Sequence, residues 1–283
     1  MYKFPGSSTG LTCSTSTGEW TFTLYTNNIF GTTNLSEANP SAPTIILIHG
    51  WQQTGNVTWM TLLKNTYLSR FSIINVIILD WSKDANMLYE FAASAVPKIG
   101  YQLANCIYEL KNTNTIEINT LKLVGFSLGA HIAGYADIVG IEAAGLYFES
   151  NPIDQRLDES DADMVQGIHT TVWPTGMASR YGKVDVYFNT FSRGCGIKQP
   201  GCPANPAFCD HIRAVAYFIE SILSNRFLAV PCTCGQFNAN QCGESNIIVG
   251  EDLPLTAASG AYYLSTTGQS PFALGTAGLH PTF

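Results

Sequence analysis

An α/β fold built on a mostly parallel, buried central sheet flanked by helices is what the sequence predicts, on two observations. Three short runs are rich in β-branched residues and apolar on both faces: Thr44–Ile48 between Pro43 and Gly50, Ser72–Leu79 ending at Asp80, and Leu121–Val124 ending at Gly125. A strand buried on both faces reads this way, because neither face supplies the polar half of an alternating pattern. Helical spacing lies between and after these runs. Val96, Ile99, Leu103, Ile107 and Leu110 recur every three or four residues within 92–110, and 214–223 is a second helix candidate. Strands alternating with helices imply right-handed crossovers, and the chemistry of such sheets sits at the carboxyl ends of the strands.

Before the first run, residues 1–40 are rich in Thr, Asn and Ser, with one strand-like stretch at Trp20–Tyr25. No internal repeat or low-complexity linker interrupts the chain. One domain over 1–283 is expected, with 1–19 as an N-terminal extension and 276–283 as a loose tail.

Composition excludes several classes of function. Apolar residues make up 46% of the 283, a normal globular share, so disorder and collagen-like repeats are ruled out. Charged residues are only 12%, and 14 basic against 21 acidic side chains leave a net charge of −7. That balance argues against a nucleic-acid or polybasic membrane partner, but not against a lipid surface met through apolar contacts. No apolar run approaches the ~18 residues a bilayer span needs. The N-terminus carries no hydrophobic signal region, so the chain reads as either cytosolic or a mature secreted form.

Cysteines favour the second. The eight are 13, 106, 195, 202, 209, 232, 234 and 242, an even number with no C-x-x-C pair of the usual zinc knuckle. Disulfides in an oxidising, extracellular compartment are expected. Two N-glycosylation sequons, at Asn34 and Asn56, agree with secretion.

The chemistry appears after the third run. Gly125-Phe-Ser-Leu-Gly129 follows a strand and precedes the helical Ala130-His-Ile-Ala, which is G-x-S-x-G in its strand–turn–helix setting. The flanking glycines suit a strained turn that lifts the Ser127 hydroxyl clear of the sheet, near a helix N-terminus that favours an oxyanion. The first run ends in His49-Gly-Trp51, which positions a second oxyanion donor. The expected hole is the backbone N–H of Leu128 with that of Trp51, each such donor being worth roughly 3–4 kcal/mol in the transition state. Of five histidines, 49, 131, 169, 211 and 280, His211 in Cys209-Asp-His-Ile-Arg-Ala214 is the best base. It follows Ser127 in the expected chain order and stands beside a cysteine and a helix. His49 is read as a loop-positioning residue, His131 as packed inside and His169 as structural.

These residues carry a resemblance. His49-Gly-Trp, Asp80-Trp-Ser, Gly125 to His131, Arg156-Leu-Asp-Glu-Ser-Asp-Ala162, Ile168-His-Thr170, Val184-Asp-Val-Tyr187, Gln199-Pro-Gly-Cys202, Cys209 to Ala214, Gly260-Ala-Tyr-Tyr-Leu264 and Pro271-Phe-Ala-Leu-Gly275 occur in that order. Together they resemble the animal pancreatic-lipase family, especially its insect neutral-lipase and venom phospholipase A1 branches. The resemblance implies an α/β-hydrolase domain, secretion and hydrolysis of glycerolipid esters, with no cofactor and a lipid–water interface as partner. The C-terminal β-sandwich of vertebrate lipases is not expected in this length.

Two segments depart from the family pattern. Where it has Gly-Leu-Asp-Pro-Ala, this chain reads Gly140-Ile-Glu-Ala-Ala, which makes Glu142 the triad acid. The interval after Ser127 is then short but passable, with about eight helical residues covering ~12 Å and a five-residue strand returning ~16 Å. The alternative places the strand at Gly145–Phe148, with Glu149 as the acid or Asn151 in its place. An Asn there costs a serine hydrolase about 10⁴ in kcat. The lid is also short: Cys202 and Cys209 enclose Pro203–Phe208, which resembles the phospholipase A1 side of the family, and Trp173, Met177 and Phe208 are candidates to dip into lipid. A Cys202–Cys209 disulfide is expected, with Cys242 bonded to Cys232 or Cys234, Cys195 to the remaining one, and Cys13 to Cys106. Asp158 and Asp161 match positions that bind calcium in some members, but charge-rich loops are usually solvated and no metal is expected.

Two functions follow. One is a secreted serine carboxylic-ester hydrolase of glycerolipids, phospholipase A1-like or a neutral lipase. The other is a catalytically impaired homologue that binds or stores lipid, as yolk-type members of the family do.

Overall fold

The computed structural model describes Cys13 and residues 20–134, 137–172, 174–191, 195–203 and 207–282, which form two compact units, Met1–Ile138 and Val139–Phe283. In the first unit the strands are β1 (Thr21–Tyr25), β2 (Thr44–Ile48), β3 (Asn75–Asp80) and β4 (Leu121–Phe126). They stand in the order β1-β3-β2-β4. β2 runs parallel to both β3 and β4, and β1 closes the edge antiparallel to β3. The helices are α1 (Thr58–Arg70), α2 (Ser82–Ala85), α3 (Tyr89–Asn112) and α4 (Leu128–Ile132).

The burial explains the pattern. Every residue of β2 is buried, as its unbroken apolar run requires, whereas β1 alternates, burying Phe22 and Leu24 and turning Thr21 outward. The second run starts later than its composition suggests, at Asn75 rather than Ser72. The buried Asn75 amide donates to the Asn39 carbonyl at 2.9 Å and to Thr44 Oγ1 at 3.0 Å, and its oxygen accepts from Asn39 N at 2.9 Å, which pins the strand's first residue. α3 buries the expected stripe of Val96, Ile99, Leu103, Ile107 and Leu110, and its Cys106 is bonded to Cys13.

The second unit carries β5 (Asp137–Ile141, which crosses the boundary), β6 (Val165–His169), β7 (Val184–Phe188), β8 (Thr190–Phe191), β9 (Gly196–Ile197), β10 (Leu228–Pro231), β11 (Ile247–Ile248) and β12 (Gly260–Leu264). Its helices are α5 (Ala207–Leu223) and α6 (Cys234–Asn238). The order is β5-β6-β7-β12-β10-β11, with β8 and β9 paired apart. β6, β7 and β12 are parallel, and β10 is antiparallel to β12 and to β11. Tyr187, Val230, Phe237 and Tyr263 pack into a cluster beside Cys232, Cys234 and Cys242.

The disulfides are Cys13–Cys106, Cys195–Cys234, Cys202–Cys209 and Cys232–Cys242, as expected. The tail, by contrast, is not loose. Ser265 N donates to the Gly278 carbonyl at 2.8 Å, and Thr282 N donates to Ser265 Oγ at 3.2 Å. No helix among the described residues is long and apolar enough to cross a membrane.

Candidate active site

Ser127 stands at the turn between β4 and α4 with φ 57° and ψ −120°. A non-glycine residue holds such a backbone only where its surroundings impose it. The neighbouring glycines show how. A Cβ on Gly125 would lie 2.2 Å from the Gly129 carbonyl oxygen, and one on Gly129 would lie 2.5 Å from the oxygens of Ile48 and His49. The G-x-S-x-G spacing is thus a steric requirement of three backbones meeting. A Cβ on Gly50 would lie 2.9 Å from the Ser127 Cβ, so the His49-Gly50-Trp51 loop lies directly against the elbow. Ser127 itself is 7% exposed, so it sits in the floor of the turn instead of standing clear of it.

The loop is fastened from several sides. His49 stacks on Trp81 with ring centroids 5.4 Å apart. Trp81 Nε1 donates to the His49 carbonyl at 2.8 Å, and Trp81 N donates to His49 Nε2 at 3.1 Å. His49 Nδ1 lies 2.9 Å from the Gly50 carbonyl and Nε2 lies 3.2 Å from Asp80 Oδ1. His49 therefore positions the loop, as read from the sequence. Burial alone would raise the Asp80 carboxyl, but hydrogen bonds from His49, Ser82 and Gly55 hold it well below the usual range. Trp51 is anchored through Nε1 to the Met87 carbonyl at 2.9 Å and meets Tyr89 edge-on, while Gln52 N donates to Ala85 O. Trp51 N and Leu128 N thus belong to two braced backbone segments. α4 has five residues, fewer than the eight allowed from the sequence, and His131 is buried within it.

In the second unit, Glu142 follows β5 with φ 51° and is 1% exposed. Its carboxylate is cradled by two threonines: Thr170 donates its N–H and its hydroxyl to Oε2, and Thr171 donates N at 3.0 Å to Oε2 and Oγ1 at 2.8 Å to Oε1. Gly176 makes room, since a Cβ there would lie 1.8 Å from Glu142 Oε1. Burial pushes the carboxyl up to about 7, against the lowering effect of these hydrogen bonds and of His169.

The alternative acid segment takes another form. Gly145–Phe148 is a turn, not a strand, with Phe148 N and Glu149 N both donating to the Gly145 carbonyl. Ala144 makes a single antiparallel bridge to Gly176, and a Cβ on Gly145 would lie 2.3 Å from the Gly176 oxygen. The Glu149 carboxylate accepts from Ala178 N at 2.8 Å and Ser179 N at 2.9 Å, so it braces that turn. Burial opposes these hydrogen bonds and nearby Arg156, yet its carboxyl ends below the usual range. Asn151 lends its backbone carbonyl to Arg156 Nε at 3.2 Å.

His211 is the fifth residue of α5, 7% exposed, and burial pushes its imidazole down to about 4. The preceding Asp210 accepts from Lys198 Nζ at 2.6 Å and from Gln199 N at 2.9 Å. His169 is structural: its Nε2 lies 2.8 Å from the buried Asp185 carboxylate, its Nδ1 3.1 Å from the Met177 carbonyl, and its ring stacks on Tyr187. His280 pairs with Asn240. Of the residues read as lipid-dipping, Phe208 is 67% exposed, but Met177 is fully buried, because its backbone pairs with Ala143 and His169 beneath the Glu142 cradle. Trp173 lies outside the described residues. Asp158 and Asp161 cap their own turn, with Asp158 N donating to Asp161 and Ser160 to Asp158.

Residues that the sequence did not single out for the site are Thr170, Thr171, Gly176, Gln199 and Asp210. Thr170, Gln199 and Asp210 stand inside the motifs that carried the resemblance, and that recurrence was the available signal.

A sequence model of the family described as Lipase matches residues 15–272. The chain is 32% identical to lipase member H of Danio rerio over 237 residues, covering 73% of this chain and 51% of that protein. It is 31% identical to the inactive pancreatic lipase-related protein 1 of Homo sapiens and 29% identical to the pancreatic triacylglycerol lipase of Mus musculus. Each of these matches covers 78% of this chain and 56% of the relative. The chain spans about half the length of the curated relatives it matches.

Proposed function

Because the chain belongs to the lipase family, whose α/β-hydrolase fold it shares, we propose that it is a secreted serine carboxylic-ester hydrolase of glycerolipids. The observation that carries this reading is the elbow at Ser127, whose positive φ is enforced by glycines on both sides and braced by the His49–Trp51 loop. In this reading Ser127 Oγ attacks the ester carbonyl carbon as His211 takes its proton. The tetrahedral oxyanion is met by the N–H groups of Leu128 and Trp51. His211 then protonates the departing alkoxide, and water releases the acyl group by the same steps in reverse roles. Glu142 is the acid that orients the imidazole. A phospholipase A1-like preference fits the short loop closed by Cys202–Cys209, which leaves little to cover a polar headgroup. Secretion fits four disulfides and the exposed sequon residues Asn34 and Asn56, which would carry glycans.

The test is a fluorophosphonate probe together with a panel of phospholipids and acylglycerols. The expected result is covalent labelling and hydrolysis in the wild type, with both lost in Ser127→Ala; more than a tenth of wild-type kcat remaining in that variant would remove Ser127 as nucleophile.

One observation favours a second reading, a lipid-binding or storage homologue with impaired catalysis. The Glu142 carboxylate is already engaged by Thr170 and Thr171 and is raised to about 7, which weakens it as an acceptor for an imidazole near neutral pH. A relative is itself named as inactive. Lipid binding without fluorophosphonate labelling would establish this reading instead.

A further inference from the structure

Between the acid candidate and the base candidate lies a residue neither role accounts for. Gln199 is 1% exposed and all four hydrogen-bonding positions of its amide are filled. Nε2 donates to the Thr170 carbonyl at 2.8 Å and the Phe188 carbonyl at 3.0 Å. Oε1 accepts from Asn189 Nδ2 at 2.7 Å and from the Tyr217 hydroxyl at 2.9 Å. The partners set the orientation of the amide, with two carbonyls on one side and two donors on the other. Its backbone N–H then donates to Asp210 Oδ1 at 2.9 Å, and Asp210 immediately precedes His211.

Both ends of this connection reach the proposed chemistry. Thr170 is the residue whose N–H and hydroxyl hold the Glu142 carboxylate, and Asp210 anchors the helical turn that bears His211. Lys198 adds a second bond to Asp210 and donates again to the Pro203 carbonyl at 2.8 Å, so residues 198 and 199 both tie the turn that bears His211. We propose that Gln199 is a positioning residue of the ester-hydrolase reaction, setting the distance between the Glu142 cradle and the His211 turn through one buried amide and one backbone N–H. The proposal rests on the hydrolase reading given above. A displacement of about 1 Å between catalytic groups is worth about 100-fold in rate, so a single rigid connector at this place acts on kcat.

The remainder of the network supplies an internal control. Tyr217 also bonds Thr266 Oγ1 at 2.8 Å, and Asn189 holds Thr266 in turn, so Tyr217→Phe removes a buried hydrogen bond from Gln199 without cutting either the Thr170 or the Asp210 connection. Gln199→Met removes the amide at nearly constant length, and Asp210→Ala cuts the opposite end. The measurements are Tm, kcat and KM on a soluble ester, and the titration of the His211 imidazole by NMR.

Gln199→Met and Asp210→Ala are expected to lower kcat about 100-fold with KM within about 3-fold, and to raise the His211 titration midpoint as the loosened turn admits water. Tyr217→Phe is expected to lower Tm while leaving kcat within about 3-fold and the midpoint unmoved. Loss of the Asp210 charge alone would move the midpoint down, so the sign separates loosening from simple electrostatics. Kinetics of Gln199→Met and Asp210→Ala that match Tyr217→Phe, with a His211 midpoint unchanged or lowered, would overturn the proposal. Should Gln199→Met fail to fold, Asp210→Ala decides by the same criteria. Should the wild type hydrolyse no ester, the hydrolase reading fails, and the His211 midpoint in either variant still decides whether Gln199 sets that turn.

Discussion

Glu142 and His211 titrate in opposite senses, and the two effects fall in the same pH window. The folded Glu142 carboxyl is raised to about 7 from an ordinary 4.5, so the stability it contributes is fully present below about pH 4.5 and is lost as pH rises through about 7. The folded His211 is lowered to about 4 from 6.5. Its neutral form costs the folded state nothing above about pH 6.5, and stability is lost as pH falls from there to about 4. The two slopes oppose each other between about pH 4.5 and 6.5. Thermal melts across pH 4–8 should therefore show a flatter Tm profile for the wild type than for either single variant. Glu142→Gln should lose Tm on acidification, and His211→Asn should lose Tm as pH rises from 4.5 to 7. A steeper wild-type profile than both variants would contradict the burial of one of the two groups. On activity, Glu142→Gln is expected to lower kcat by a few orders of magnitude, because an amide admits the wrong imidazole tautomer. Glu149→Gln should change kcat little, since its carboxylate is committed to the Ala178–Ser179 turn. Steady-state kinetics on one soluble ester compares the two.

At the scale of elements, the elbow is set by backbone contact more than by side-chain packing. Gly125→Ala would drive a methyl group to 2.2 Å from a carbonyl oxygen that belongs to the same tight turn. It should cost of order 3 kcal/mol or more of stability, read as a drop in the denaturation midpoint. The strands that lead into this turn were legible in the sequence because unbroken apolar runs make up the middle of β2 and β3 and most of β4. β6 and β7 were harder to read, since buried Gln166, His169 and Asp185 interrupt their runs. Gln166 is satisfied by Gly250, a partner distant in the chain that no local pattern announces. α1 escaped notice for a related reason. It buries Met60, Leu63 and Tyr67 while leaving Leu62 half exposed, so its apolar face is blurred. Ser127 and His211 stood out as candidates because a motif and a chain order mark them, and Glu142 through the resemblance of its segment to the family's. The Glu142 cradle was not, because Thr170 and Thr171 reach it from the far end of another strand.

For the molecule as a whole, the cross-links divide unevenly, one in the first compact unit and three in the second. Cys13–Cys106 closes 93 residues of separation, Cys202–Cys209 only 7. On loop-closure grounds the long bridge is worth about 4–5 kcal/mol and the short one about 2–3 kcal/mol. Chemical denaturation of the paired Cys→Ser variants should rank them in that order, and the reverse ranking would show that the short loop stores native-state contacts beyond chain entropy. A net charge of −7 spread over so few charged side chains also leaves any attraction to a lipid surface to apolar contacts such as Phe208.

The missing side chain at Gly176 couples two positions distant in sequence. The Glu142 carboxylate occupies its threonine cradle beside a residue 176 that lacks a Cβ, which would lie 1.8 Å from its Oε1. The two positions are therefore epistatic. A methyl group at 176 would push the Glu142 carboxylate away from its threonine donors, so Gly176→Ala and Glu142→Gln should be non-additive in their effect on stability.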